Sequence, residues 1–286
     1  MPELRVEALT HTYSAGTPFE KTAIENISLT IPEGQMVGLL GHTGSGKSTF
    51  IQHLNALLRP TSGRVSYDGK DVNADKYARR DIKGKVGLVF QYPEYQLFEE
   101  TVFLDIAFGP KNMGLGKEEI EERVRQAADF VGVEEELVQR SPLELSGGQK
   151  RRVAIAGVIA MRPGVLILDE PTAGLDPAGC RQILDNIAAY REKTGSTVIL
   201  VSHNMDDAAR MADRLLVFDH GRVAMDGTPE EVFARPEELI AIGLNVPHAA
   251  ALAMALRGRG LKLEGSIYTH EQLRAAVLRA KEAGVC

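Results

Sequence analysis

The stretch GHTGSGKS, Gly41–Ser48, decides the fold of this chain. It fits the pattern G-x-x-x-x-G-K-[ST], in which glycines let backbone N–H groups wrap around phosphate oxygens. The apolar run MVGLL at 36–40 precedes it and is typical of a buried parallel strand. A helical pattern from Ser48 to Leu58 follows and stops at Pro60. A strand, a glycine-rich loop and a helix in this order predict a phosphate-binding loop in an α/β protein.

The residue types of this loop indicate how it would hold a nucleotide. Lys47 would reach the β- and γ-phosphates of ATP, and the Ser48 hydroxyl would bind Mg²⁺. The helix that begins near Lys47 adds the positive end of its dipole. The candidate ATP-binding residues here are Gly41, His42, Thr43, Gly44, Ser45, Gly46, Lys47, Ser48 and Thr49.

A second predicted strand, in VLILDEP at 165–171, ends in two acids. Asp169 would bind Mg²⁺ through water at the carboxyl end of the strand, where α/β sheets keep their ligands. Glu170 follows immediately and suits a general base that polarises the attacking water. Paired acids often end a strand for no catalytic reason, but the phosphate loop favours the catalytic interpretation here.

The rest of the chain predicts a parallel sheet that is interrupted by helices. Helical periodicity replaces strand character over residues 101–161, and buried-strand patterns return at 165–169 and 197–202. We therefore predict a nucleotide-binding domain over residues 1–235 with a helical insertion at about 92–161. The composition changes after Pro236, which predicts a small C-terminal extension over 236–286.

Shorter patterns predict local elements within these regions. Asp176 and Pro177 supply an N-cap and a first-turn proline for a helix. The stretches 215–219 and 222–227 predict a hairpin that turns at His220-Gly221, and capping boxes are predicted at Thr228–Glu231 and at Thr269 with Gln272. Helical periodicity predicts one apolar face formed by Ile120, Val124, Ala127, Ala128 and Val131.

Bulk composition excludes several classes of protein. The chain has 286 residues, and 33 basic against 39 acidic residues give a formal charge of −6, which argues against a nucleic-acid clamp. Cys180 and Cys286 match no metal-binding spacing and indicate a reducing, cytoplasmic context. The sequence shows no signal peptide and no apolar run near the roughly 20 residues that span a bilayer. Any work at a membrane is therefore expected to need a partner.

Five motifs in fixed order resemble the nucleotide-binding domain of ABC transporters across roughly residues 1–230. Besides the phosphate loop and VLILDEP, they are LSGGQ at 145–149, AGLD at 173–176 and SH at 202–203. The resemblance implies an α/β P-loop NTPase fold. It would comprise a parallel-sheet core, an antiparallel β subdomain, an inserted helical subdomain and the C-terminal extension.

The resemblance also implies roles that single motifs do not establish. The functional unit would be a head-to-tail dimer, in which LSGGQ binds the γ-phosphate of ATP held by the other subunit. The residues that would do so are Ser146, Gly147, Gly148 and Gln149, with Asp176 helping to position the opposing site. His203 would contact the γ-phosphate and the attacking water, Gln91 would reach Mg²⁺ and that water, and Tyr13 would stack on adenine.

A finer resemblance comes from FQYPEYQLFEETVFLDIAFGPKNMGL, together with GLNVP at 243–247. These stretches resemble the ATP-binding subunits of energy-coupling factor transporters, which import vitamins and transition-metal ions, and specifically the second of their two ATPase types. The resemblance implies a peripheral protein on the cytoplasmic face of the cell membrane. It implies a sister ATPase or a second copy as dimer partner, a transmembrane coupling subunit, and a substrate-binding membrane subunit reached indirectly. The C-terminal extension would help to hold the two ATPases together.

The same resemblance implies a groove that accepts a helix of the transmembrane subunit. Tyr95, Leu97 and Phe98 would line it, although Leu97 and Phe98 could instead tuck inward as core residues. A second hypothesis for the whole chain is a soluble ABC-type regulatory or repair ATPase that dimerises on nucleotide without transport. The residues leave open the transported substrate and the choice between homodimer and heterodimer.

Overall fold

A computed structural model describes residues 3–282, so Cys286 lies outside the described residues. The chain divides into two units. The first unit comprises the chain up to Gln35 together with Ser48–Ile199, and the second comprises Met36–Lys47 together with the chain from Leu200 onward. The domain boundaries expected from the sequence remain a prediction.

The first unit contains an antiparallel sheet of four strands in the order β2-β1-β4-β5. Its strands are β1 (Leu4–Tyr13), β2 (Lys21–Ile31), β4 (Ser62–Tyr67) and β5 (Lys70–Asp71). Alternate apolar residues of β1, such as Leu4 and Val6, are buried, as expected for strands that cover a core with one face. This sheet is the antiparallel subdomain that the resemblance implied.

The same unit contains the parallel strands β6 (Val86–Val89) and β7 (Val165–Asp169). In the strand order of this sheet, β8 (Thr197–Val201) is the neighbour of β7. Every residue of these three strands is buried. The apolar runs read from the sequence are thus core strands covered on both faces. Asp169, the last residue of β7, is consequently placed at the carboxyl edge of this sheet.

Six helices lie in this unit, apart from the first residue of α1, Lys47, which belongs to the second unit. They are α1 (Lys47–Leu54), α2 (Lys76–Lys85), α3 (Val102–Asn112), α4 (Lys117–Val131), α5 (Gly147–Ile159) and α6 (Pro177–Thr194). Helix α4 buries Ile120, Val124, Ala127, Ala128 and Val131. That is the stripe predicted from its 3.6-residue periodicity, and Asp176 and Pro177 open α6 as predicted.

The second unit pairs β3 (Met36–Gly41) in parallel with β9 (Arg214–Asp219), and β10 (Arg222–Gly227) runs antiparallel to β9. The predicted hairpin turn is His220–Gly221, and both residues have positive φ, +43° and +78°. A two-residue loop with two positive φ values is a type I′ turn, which matches the twist of the strands that it joins.

The helices of the second unit are α7 (Met205–Met211), α8 (Pro229–Phe233), α9 (Pro236–Ala241), α10 (His248–Gly258) and α11 (His270–Glu282). Both predicted capping boxes are present. Thr228 and Glu231 exchange side-chain bonds to backbone N–H groups, and Thr269 and Gln272 do the same. Among the residues that the structure describes, no helix has the length and apolarity needed to cross a bilayer.

Two local predictions differ from the structure. The helix expected over Ser48–Leu58 ends at Leu54, because Ala56 takes a left-handed φ of +54° and the N–H groups of Leu57 and Leu58 turn back to the carbonyl of Gln52. Helix α2 was not predicted at all. Its sequence KYARRDIKGK buries only Ile82 and therefore carries no apolar stripe to read.

Candidate nucleotide-binding site

The phosphate loop occupies the stretch of the second unit between β3 and α1. Gly41 has φ +149°, and a Cβ built there would lie 2.5 Å from the Phe218 carbonyl oxygen and 2.6 Å from Ser45 Oγ. Only glycine fits at this position, because both the backbone conformation and the close approach exclude a side chain. The Gly221 N–H donates to the Ser45 carbonyl over 2.9 Å, so the β9–β10 turn braces the loop.

The lysine of the loop is buried and bonded to the loop itself. Lys47 Nζ donates to the carbonyl oxygens of Gly41, at 2.6 Å, and His42, at 3.0 Å. These bonds hold the ammonium at the mouth of the loop beside the first turn of α1. Phosphate oxygens would offer the same donor stronger, charge-assisted acceptors. The ammonium group of Lys47 is therefore already positioned to bind an anion.

The first unit contains the predicted nucleotide-binding residues Tyr13, Ser48 and Thr49. Tyr13 is 41% exposed, and its hydroxyl lies 3.2 Å from Thr49 Oγ1. The ring also meets His11 edge-on, with 4.5 Å between the ring centroids. These two contacts fix the ring of Tyr13 while leaving much of it exposed for stacking. Ser48 is exposed and Thr49 is buried.

The structure brings two of the predicted catalytic residues together. Gln91 Nε2 donates to Glu170 Oε2 over 3.0 Å, although the two residues are far apart in the chain. Glu170 has a left-handed φ of +51°, and the preceding Asp169 is buried. A non-glycine residue in that region is uncommon, and such residues cluster at functional sites. His203 belongs to the second unit, where it is exposed directly after the buried Ser202.

The LSGGQ motif forms the exposed start of α5. Ser146 is its N-cap, and Gln149 completes a capping box by accepting the Ser146 N–H at 2.9 Å. Gly147 is exposed, and a Cβ built on it would meet no atom within 4 Å. Asp176 also caps a helix, because its carboxylate accepts the Gly179 N–H at the start of α6 over 2.6 Å. The assigned roles of these residues toward nucleotide remain predictions.

A buried ion pair that the sequence does not reveal connects three functional segments. Arg151, on α5, bonds through two nitrogens to Glu94 in the loop after Gln91, at 3.1 and 2.7 Å. Its third nitrogen donates to the carbonyl oxygens of Pro171 and Ala173, which follow Glu170 in the chain. The bidentate geometry fixes both partners. The only signal in the sequence was a charge beside a glycine-rich motif, which ordinarily indicates a solvated helix face.

A groove of about 650 Å³ lies in the first unit and involves the helical insertion. Its apolar lining includes Leu88, Leu97, Phe98, Phe108, Met113 and Met161. Phe98 is 65% exposed and meets the ring of Phe108 edge-on at 5.0 Å, so it does not tuck inward as a core residue. The prediction for Tyr95 was wrong. That residue is 84% exposed beside Tyr92 and does not line the groove, because the chain turns between Tyr95 and Leu97.

One carboxyl group fixes the exposed segment at the edge of the groove. Asp105 Oδ1 accepts the N–H groups of Phe98 and Glu99, at 3.2 and 3.4 Å. Burial raises the pKa of Asp105, and the two backbone hydrogen bonds oppose that rise. The backbone that carries Phe98 is therefore anchored even though its side chain is exposed.

Comparisons with known proteins agree with this geometry. The family model for ABC transporter proteins matches residues 24–173. The energy-coupling factor transporter ATP-binding protein EcfA2 of Symbiobacterium thermophilum is 57% identical over 271 residues, covering 95% of this chain and 94% of the relative. The protein of the same name from Caldanaerobacter subterraneus subsp. tengcongensis is 52% identical over 276 residues, covering 96% of each.

Two solved structures share the fold. One is cbiO1 from Clostridium perfringens, described as part of the ABC transporter complex cbiONQ. It has a TM-score of 0.74 at 40% identity and covers 88% of this chain and 98% of its own. The other is the dimeric ATP-binding cassette MJ0796 bound to ADP and Pi, with a TM-score of 0.72 at 29% identity and coverage of 79% and 98%. The chain therefore belongs to the ABC transporter family and, within it, to the energy-coupling factor transporter ATP-binding proteins.

Proposed function

We propose that this ATP-binding subunit of an energy-coupling factor transporter hydrolyses ATP with Glu170 as general base and Gln91 as its positioning partner. The hydrogen bond between Gln91 Nε2 and Glu170 Oε2 is the observation that carries this assignment. It orients a carboxylate directly after the buried Asp169, in a position from which a water could be polarised. The relatives named above favour this function over a soluble regulatory or repair ATPase.

The residues present fit Mg²⁺ as the cofactor of that reaction. Ser48 offers a hydroxyl, Gln91 an amide oxygen and Asp169 a carboxylate, which are the oxygen ligands that Mg²⁺ prefers. When bound, Mg²⁺ would neutralise the charge that develops on the phosphates. Lys47 would bind the β- and γ-phosphates, Tyr13 would stack on adenine, and His203 would hold the γ-phosphate and the attacking water.

The exposed LSGGQ motif supports a dimer as the active unit. The side chains of Ser146 and Gln149 each accept a hydrogen bond from the other residue's backbone N–H group. Gly147 leaves the helix N-terminus open to an approaching anion. We infer that this anion is the γ-phosphate of ATP bound to a sister ATPase or to a second copy of this chain. Closure around ATP and reopening after hydrolysis would then move the helical insertion through Arg151 and Glu94.

The groove beside Leu97 and Phe98 supports attachment to a transmembrane subunit. Most of its lining surface is apolar, its edge carries the exposed Phe98, and Asp105 anchors the backbone there. An exposed aromatic beside an apolar groove is typical of an interface. We infer that a helix of the membrane partner occupies it at the cytoplasmic face, and that the complex imports a vitamin or a transition-metal ion.

Glu170→Gln tests the catalytic assignment. The amide keeps the size and the acceptor oxygen of Glu170 but cannot take a proton, so we expect ATP binding to be retained and turnover to fall about 10²–10⁴-fold. Equilibrium nucleotide binding and steady-state phosphate release would measure the two effects. Turnover close to that of the unmodified protein would refute the role of Glu170 as base.

Leu97→Ala combined with Phe98→Ala tests the groove. We expect basal ATPase activity of the isolated protein to be unchanged, and recovery of an integral membrane partner from detergent-solubilised membranes to fall at least about tenfold, as for interface anchors. Phe19→Ala is the matched control, since Phe19 is 85% exposed but does not line the groove. Unchanged recovery by the double variant would disprove the groove assignment, and recovery of only soluble partners by the unmodified protein would disprove the transporter function.

A further inference from the structure

A cluster of two histidines and an aspartate lies between the phosphate loop and the β9–β10 turn, within the second unit. His42 Nε2 is 3.1 Å from Asp219 Oδ1, and His220 Nε2 is 3.7 Å from the same oxygen. One ligand atom from each residue lies within 4.8 Å of the other two. His42 and Asp219 are half-buried, while His220 is exposed. The function described above uses neither Asp219 nor His220.

The hydrogen bonds of His42 leave its Nε2 atom facing a negative charge. Its other nitrogen, Nδ1, lies 2.9 Å from the Thr43 carbonyl oxygen, which can only accept. Nδ1 therefore carries the proton, and Nε2 of the neutral ring is an acceptor. The carboxylate of Asp219 is also an acceptor, so the 3.1 Å contact places two lone pairs together. A cation shared by the two atoms, either a proton or a metal ion, would make this contact favourable.

The donor set and its geometry suit a metal ion. Metal-bound histidines generally donate their second ring N–H to a carbonyl or carboxylate, as His42 does to Thr43. With bond lengths of about 2.0–2.1 Å, a tetrahedral ion needs its ligand atoms roughly 3.3–3.5 Å apart. The two separations from Asp219, 3.1 and 3.7 Å, bracket that value. Two imidazoles and one carboxylate favour Zn²⁺ and similar transition metals over Mg²⁺, which prefers oxygen ligands.

His220 is the third candidate ligand and lies at the exposed side of the cluster. The side chain of His220 is 86% exposed, and its ring already meets that of His42 edge-on, with 5.3 Å between the ring centroids. Its left-handed φ of +43° suits a type I′ turn, for which asparagine or aspartate would serve equally well. The turn conformation therefore does not require an imidazole. The exposed side of the cluster leaves the remaining coordination position to water.

We propose that His42, Asp219 and His220 bind a divalent transition-metal ion of the Zn²⁺ class. The ion would connect the phosphate loop to the β9–β10 turn, which already touch through the bond from Gly221 N–H to the Ser45 carbonyl. It differs from the Mg²⁺ expected with ATP in its ligands and in its place on the loop. The site needs no nucleotide and does not depend on the proposed function.

His220→Asn tests this proposal without threatening the fold. Asparagine tolerates the left-handed turn position and removes the imidazole. The protein, freed of any affinity tag and stripped with a chelator, would be titrated with Zn²⁺ by calorimetry in the presence of excess Mg²⁺. Co²⁺ titration with visible absorption would report tetrahedral nitrogen ligation. We expect saturable binding of one ion, with affinity at least about tenfold weaker in the variant.

His270→Asn is the matched control, because His270 is an exposed histidine outside the cluster. It should bind Zn²⁺ as the unmodified protein does, and Zn²⁺ should raise the melting temperature of both but not of His220→Asn. Equal Zn²⁺ affinity in the unmodified protein and His220→Asn would overturn the site. The absence of saturable Zn²⁺ binding would also overturn it.

Discussion

The two glycine-rich motifs of this chain both precede a helix, but they differ in how far the chain itself completes them. The phosphate loop is enclosed, since Gly41 lies against Phe218 and Ser45, and Lys47 bonds to the loop carbonyls. The LSGGQ motif is open, since Gly147 has no neighbouring atom within 4 Å of the position of a Cβ. The phosphate loop is therefore formed within one chain, whereas the LSGGQ motif is a surface that needs a partner.

The helices behind the motifs also differ in their buried polar groups. Helix α1 buries His53, whose ring meets that of His11 at 4.8 Å. Helix α5 buries the charge of Arg151, which bonds to Glu94 and to two backbone carbonyls. A buried charge is tolerated only when it is paired. Arg151 thus binds α5 to the segments around it, whereas His53 packs within α1 as a neutral side chain.

Gly41→Ala should give the largest effect. The side chain would meet Phe218 and Ser45 and would force a backbone conformation that only glycine adopts. We expect loss of measurable ATP binding, together with a fall of roughly 3 kcal/mol or more in the free energy of unfolding. Urea denaturation and equilibrium nucleotide binding would measure these effects. An alanine variant with normal stability would show that the loop is not enclosed.

Gly147→Ala is the counterpart in the open motif. Its free energy of unfolding should change by no more than about 1 kcal/mol, because the added methyl group meets no atom and alanine favours a helix. ATP binding by the isolated chain should persist, while hydrolysis by the assembled dimer should fall on the order of 100-fold, since the methyl group obstructs the approach of phosphate. Loss of ATP binding by the single chain would contradict the division between the two motifs.

Arg151→Ala should lower stability, without the loss of ATP binding that is expected for Gly41→Ala. It leaves Glu94 and the carbonyls of Pro171 and Ala173 without their shared donor, at a cost of about 3–5 kcal/mol for a buried pair. Arg152→Ala is the control, because that neighbour is less buried and makes one hydrogen bond to Gln182. Chemical denaturation of both variants would measure the difference. Equal stability would mean that the buried network does not hold the three segments together.

The buried His53 should make the free energy of unfolding depend on pH. Burial lowers the pKa of His53 from 6.5 to about 4, and the nearby His11 adds to this effect. Because the unfolded chain takes up a proton at higher pH, this stability is complete above pH 6.5 and is lost as the pH falls toward 4. The loss is at most about 3 kcal/mol. Urea midpoints at several pH values should show this slope, and His53→Leu should flatten it more than His270→Asn does.

The sequence predicted those parts of the molecule that depend on local patterns. Glycine spacing identified the phosphate loop, and periodicity identified the buried stripe of α4. The two capping boxes followed from residue types three positions apart. Helix α2 escaped prediction because it has no apolar stripe, and the early end of α1 escaped because no proline or glycine follows Leu54 directly. The pairing of Arg151 with Glu94 escaped because it joins residues 57 positions apart.

The sequence by itself determined the chemistry of this protein, namely a phosphate loop, an acid pair after a buried strand and a signature motif in a fixed order. Such motifs are local, so their residue types and spacing carry the information. Only the tertiary structure decided which side chains meet. It brought Gln91 to Glu170, joined Arg151 to the loop after Gln91, placed Phe98 rather than Tyr95 at the groove, and gathered His42, Asp219 and His220. Contacts between distant segments depend on packing and loop closure, which no local pattern encodes.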